Sequence, residues 1–99
     1  MSKIKPNGQW GTSRVQTSAS GATFVTLPTF DCDEILIVNE STVSVDLRNS
    51  SETSGVGVVI ASGGAITIPV SANAQEIQVR RNDQSNTQVY VGFIYRKSL

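Results

Sequence analysis

From Ala22 onward the apolar residues recur with a period of two, the spacing of extended strands whose successive side chains face opposite sides. Residues 24–27 open the series and stop at Pro28, which cannot donate to a central ladder. The run Ile35-Leu36-Ile37-Val38 follows, closed by an Asn39-Glu40-Ser41 turn. Val43, Val45 and Leu47 alternate with Ser44, Asp46 and Arg48, which predicts a half-buried strand with one wet face. A polar loop over 49–55 leads to Val56, Val58 and Ile60, with Gly57 on the other face, and Gly63-Gly64 turns the chain. Ile66, Ile68 and Val70 form a fifth run. After a loop over 71–75, Ile77 and Val79 alternate with Gln78 and Arg80 in a sixth. The seventh run is the longest, with Val89, Val91, Phe93 and Tyr95 on one face and Tyr90, Gly92, Ile94 and Arg96 on the other. No i, i+3, i+4 pattern persists, so no helix is predicted.

Short strands with a turn signal about every ten residues and no helical crossover imply antiparallel pairing. The expected fold is therefore all-β, a single sandwich or small barrel over residues 22–99, with jelly-roll or Greek-key connections. Residues 1–21 differ. The stretch MSKIKPNGQWGTSRVQTSASG is rich in Gly, Ser and Thr and carries few apolar groups, which predicts a flexible N-terminal arm. Trp10, between Gly8 and Gly11, is the exception, an anchor for a groove on its own domain or on a neighbour.

Several strands are apolar on both faces, and a two-layer domain of this size has little interior with which to hide both. Leu36 and Val38 in the second run and Tyr90 and Ile94 in the seventh must either be covered by the 49–55 loop or the arm, or form a patch that another chain covers. Those four residues, Trp10, and Arg80, as a salt-bridge partner or a rim contact, are the candidate interface.

Composition removes competing classes. The 99 residues suffice for one domain, and 8 basic against 8 acidic residues, with no basic run longer than Arg80-Arg81, leave no concentrated face for nucleic acid or an acidic membrane. No apolar run approaches the roughly 20 residues of a membrane span, and nothing resembles a signal peptide. Folding in a reducing cytosol is expected. The single cysteine, Cys32, has no intramolecular partner. Lying among Asp31, Asp33 and Glu34, it is expected to have a raised thiol pKa and to act as a small buried hydrophobe. The DCDE carboxylates lack the alternating spacing of a calcium loop and read as a solvated turn. With no histidine, the usual general base and the commonest metal ligand are missing, and Ser/His/Asp or Cys/His systems are excluded. No enzyme activity and no cofactor or metal are expected.

The run ILIVNESTVSVDLRNSS, followed after a Gly-rich hairpin by IPVSANAQEIQVRRNDQSNTQVYVGFIYR, resembles small all-β virion proteins of tailed bacteriophages, on a pattern of strand and turn residues spanning about residues 22–95. The resemblance implies a structural component of the particle. Capsid decoration, or cement, proteins are the nearest group. It further implies a homo-oligomer, commonly a trimer, clamping the major capsid protein or another virion protein, with localisation in a virion assembled in the host cytoplasm. A receptor- or glycan-binding module of a head or tail fibre, and a head-tail connector accessory, are the alternatives.

Overall fold

The computed structural model of the protein describes residues 9–54 and 57–98. Eight strands follow in order: β1 (Gln9–Gln16), β2 (Val25–Thr26), β3 (Glu34–Val38), β4 (Val45–Asn49), β5 (Val58–Ile60), β6 (Ala65–Pro69), β7 (Ile77–Arg81) and β8 (Tyr90–Lys97), with one 3-10 turn (Ala74–Glu76) ahead of β7. They make two antiparallel four-stranded sheets, ordered β1-β8-β3-β6 and β2-β7-β4-β5. Within each sheet the partners β1 with β8 and β3 with β6, or β2 with β7 and β4 with β5, are those of one long hairpin rolled over on itself. That is the jelly-roll arrangement of an all-β sandwich.

Alternation assigns most of the core as the sequence pattern predicts, though Val58, predicted on the same face as Ile60, is exposed. Val15, Val91, Phe93, Ile35 and Ile37 of the first sheet meet Val45, Leu47, Ile60, Ile77 and Val79 of the second, and Leu27, Cys32 and Ala74 seal the ends. Phe30 stacks on Tyr95 with ring centroids 4.2 Å apart and meets Phe93 edge-on at 6.0 Å, closing one mouth of the sandwich.

Two expectations need correction. The N-terminal arm was to run through Gly21, yet Gln9–Gln16 is the eight-residue edge strand β1, in register with β8 from Gln9 opposite Lys97 to Gln16 opposite Tyr90. Its inward positions are Gly11, Ser13, Val15 and Thr17, so one apolar side chain and a main-chain ladder hold it. Small residues are required there because a Cβ at Gly11 would fall 2.5 Å from the Tyr95 hydroxyl. The rest of the predicted arm, residues 1–8, lies outside the described residues, as do Gly55 and Val56. The second correction concerns the wet face of residues 43–48. Asp46 on that face is 1% exposed. Its carboxylate accepts from Arg80 Nε at 3.0 Å and Asn82 Nδ2 at 2.8 Å. Phe24 covers this network, with the guanidinium carbons of Arg48 and Arg80 at 3.8 and 4.5 Å from its ring centre.

Three polar latches fix the turns. Fully buried Asn39 donates through Nδ2 to the Val43 and Ile60 carbonyls and accepts through Oδ1 from Ser41. Asn73 and Glu76 form a reciprocal capping box around the 3-10 turn, and Glu76 also accepts from the Ser71 and Ala72 amides. Buried Arg81 holds Asp83 through two nitrogens, at 2.9 and 2.7 Å, and donates to the Thr87 carbonyl.

Candidate functional site

Register places five of the six predicted interface residues on one surface, the outer face of the β1-β8-β3-β6 sheet. Trp10, Arg96, Glu34 and Pro69 form one row across it; Thr12, Ile94, Leu36 and Thr67 the next; Arg14, Gly92, Val38 and Ala65 the third; Gln16 and Tyr90 begin a fourth. Ile94, Leu36 and Val38 make a half-buried apolar centre. Trp10 and Tyr90 flank it, 59% and 55% exposed. Arg80, the sixth, is on the other sheet and turns toward Asp46 and the Ala22 carbonyl, so it forms no rim to this face.

Gly92 shapes the surface. Its missing side chain leaves a trough across β8 that Glu40 occupies from the β3–β4 turn, since a Cβ on Gly92 would lie 2.5 Å from Glu40 Oε2. Through that trough Glu40 reaches Arg14 of β1, accepting from Nε at 3.0 Å and Nη2 at 3.1 Å. The hydrogen bond and charge of Arg14 hold the Glu40 carboxyl below its ordinary range, and Glu40 in turn raises the Arg14 guanidinium. Beside this clasp is a shallow depression of about 480 Å³ lined by Thr12, Arg14, Val38, Glu40, Gly92 and Ile94. Arg96 and Glu34, paired at 2.8 Å, lie one row beyond Ile94 and Leu36 on the same face. Thr12, Arg14 and Glu40 were not singled out from the sequence. A glycine inside the longest strand was the available signal, because glycine there marks the close approach of another group.

The remaining candidates for chemistry have structural partners. Asp31 pairs with Lys97 at 3.2 Å, Asp33 accepts from the Ser98 amide, and Glu34 pairs with Arg96. Among the described residues no three of His, Cys, Asp and Glu converge as metal ligands would. Cys32 is fully buried, and burial first, then the charges of Asp31, Asp33 and Glu76, push its thiol pKa up. The motif residues behind the virion resemblance, Asn39-Glu40-Ser41, Asn73 to Glu76 and Arg81 to Thr87, are the three turn latches of the fold. No family model, curated protein or solved structure matches the chain.

Proposed function

We propose that this protein is a non-catalytic structural module of a tailed-phage virion, a decoration protein that adheres to a capsid or other virion protein through the outer face of the β1-β8-β3-β6 sheet. The observation that carries the reading is the convergence of Trp10, Leu36, Val38, Tyr90 and Ile94 on that face, with charged pairs at its borders. An apolar centre within a charged rim is the anatomy of a protein-binding surface. Strand and turn residues supply the virion assignment, and the jelly roll is a build that viral capsid domains use. Clamping needs no turnover. Occupancy lowers the free energy of the assembled shell by about 2.7 kcal/mol per site at a hundredfold excess over Kd.

Ile94→Lys places an unpaired charge at the centre of the face without entering the core. In sedimentation with particles stripped of this chain, the variant should bind at least about tenfold more weakly than wild type. Equal binding overturns the assignment of the face. Stripped particles should also release genome at lower temperature and recover when protein is added back. Particles that are equally robust without the chain overturn the decoration role.

A second reading, receptor or glycan binding, is favoured by one feature. Exposed Tyr90 borders a second depression of about 330 Å³ that Arg14, Glu40, Ser41, Thr42 and Val89 also line. Failure of particles lacking the chain to adsorb to cells, with shell stability unchanged, selects it.

A further inference from the structure

Among the described strands four lie at sheet edges, and three are blunted. β2 spans two residues and β5 three. β6 is closed by Pro69. The Asn39 amide bonds to the Gly64 carbonyl and the Val70 amide to the Asp33 carbonyl, so even-numbered positions of this segment face β3. Pro69 therefore occupies the open side, where it offers no N–H. β1 has no such protection. It runs eight residues without proline or lysine, and an open edge of that length is a template for another strand.

Its free groups are identifiable. The Thr17 amide donates to the Val89 carbonyl at 2.9 Å, so odd-numbered positions of β1 bond to β8. Trp10, Thr12, Arg14 and Gln16 consequently present their main-chain N–H and C=O groups away from the sheet. The same four residues carry their side chains on the outer face.

We propose that β1 pairs antiparallel with β1 of a second copy of this chain, about a two-fold axis at Thr12, joining two four-stranded sheets into one of eight. Side-chain chemistry selects the register. An axis at Arg14 would set two guanidinium groups directly opposite, a destabilising pair. An axis at Ser13 would set Trp10 against Gln16. The axis at Thr12 sets Trp10 against the partner's Arg14. That guanidinium already directs two of its in-plane donors to Glu40, at 3.0 and 3.1 Å, while its side chain is 63% exposed, leaving a flat face open to the indole. This arrangement covers the 59% exposed Trp10 twice over, once in each copy. It makes roughly six new main-chain hydrogen bonds. It is also a two-fold assembly in place of the three-fold one that the phage resemblance implies, and it stands independently of the virion reading.

The test uses the full chain in sedimentation equilibrium at micromolar concentration. Wild type should be a dimer. Thr12→Pro removes an N–H that faces the open side only, so the β1–β8 ladder survives and the variant should be a folded monomer by circular dichroism. Thr12→Cys supplies a readout that does not depend on tolerance of proline. Opposed residues of a hydrogen-bonded pair have Cα atoms about 5.5 Å apart, inside the range for a disulfide. On mild oxidation this variant should form a covalent dimer, since its other cysteine, Cys32, is fully buried. A monomeric wild type, a dimer untouched by Thr12→Pro in its folded form, or no Thr12→Cys cross-link overturns the pairing. So does a monomer that takes up a strand peptide of a different protein instead.

Discussion

Replacing Asn39 with alanine removes the best-connected buried polar side chain in the fold, and its cost follows from four hydrogen bonds. Nδ2 donates to the Val43 carbonyl at 2.8 Å and the Ile60 carbonyl at 2.9 Å; Oδ1 accepts from the Ser41 amide at 3.1 Å and its hydroxyl at 2.6 Å. In Asn39→Ala the Ser41 hydroxyl, whose one proton faces both Asn39 Oδ1 and the Val43 carbonyl at 2.9 Å, turns wholly to that carbonyl. The Ile60 carbonyl loses its side-chain donor in a buried setting, a cost of about 1–3 kcal/mol, and the lost bond from the Ser41 amide adds about 1 kcal/mol. The sum is about 3 kcal/mol, which for a domain of this size lowers Tm by about 12–24 °C. Urea unfolding followed by tryptophan fluorescence measures it. Asn39→Asp separates bonding from packing. It conserves shape but turns acceptor oxygens toward two carbonyls, so it should be at least as destabilising as alanine. A loss under about 1 kcal/mol for alanine, or a near-neutral aspartate variant, would refute the assignment of Asn39 as the lock that ties the β3–β4 turn to β5.

Three other outcomes follow from the same geometry. Asp46→Ala should cost about 3 kcal/mol because it removes the carboxylate that the partly buried Arg80 and Asn82 both bond, whereas Asp31→Ala, whose side chain is 76% exposed, should change stability by less than about 1 kcal/mol in the same urea titration. The Glu76 carboxyl is held below its ordinary value of 4.5 by the Ser71, Ala72 and Asn73 amides, with the Ser71 and Ala72 bonds dominant. Its stabilisation is thus complete above that value and is lost as pH falls through the lower folded-state pKa. Glu76→Gln should flatten the acid limb of a Tm-against-pH curve, and an unchanged limb would show that the capping box is electrostatically idle. Cys32 should resist a thiol reagent such as dithionitrobenzoate in the native state and react fully in denaturant, because its sulfur is fully buried and its pKa raised. Rapid native labelling would contradict that burial.

Most of the sandwich was legible because burial on one face imposes a period of two on the sequence. Every strand from β2 to β8 coincides with an apolar run in the sequence, alternating in β4, β7 and most of β8 and apolar on both faces in β3 and β5, and Asn39, Gly63-Gly64 and Arg81-Asn82-Asp83 lie at turns or strand ends. β1 was not legible, for a physical reason. An edge strand with one wet face needs apolar groups only on its inner side, and there Tyr95 demands glycine at position 11 and the sandwich mouth accepts Ser13. Val15 alone is insufficient to display a period. Asp46 failed in the opposite direction, as a charged residue at an outward position. Its burial depends on Arg80 and Asn82 from another strand and on Phe24 lying across them, none of which is local in sequence.

The candidate face shows the same division. That Leu36, Val38, Tyr90 and Ile94 point away from the core follows from alternation within single strands. That they lie together depends on β8 separating β1 from β3, a pairing set by the jelly roll and absent from any local pattern. Gly92 connects the two levels. As a gap in an apolar strand it looks like a weakness, yet it admits Glu40 across β8 to Arg14 and thereby fastens a strand that buries a single apolar side chain, Val15. The clasp orders the open edge and fixes the Arg14 guanidinium with one flat side outward. The proposed binding through the face and the proposed pairing through the edge share Trp10 and Arg14, so a partner that covers Trp10 from above the sheet would compete with the second copy for the same indole. On both proposals, attachment and self-association would be coupled through that one ring.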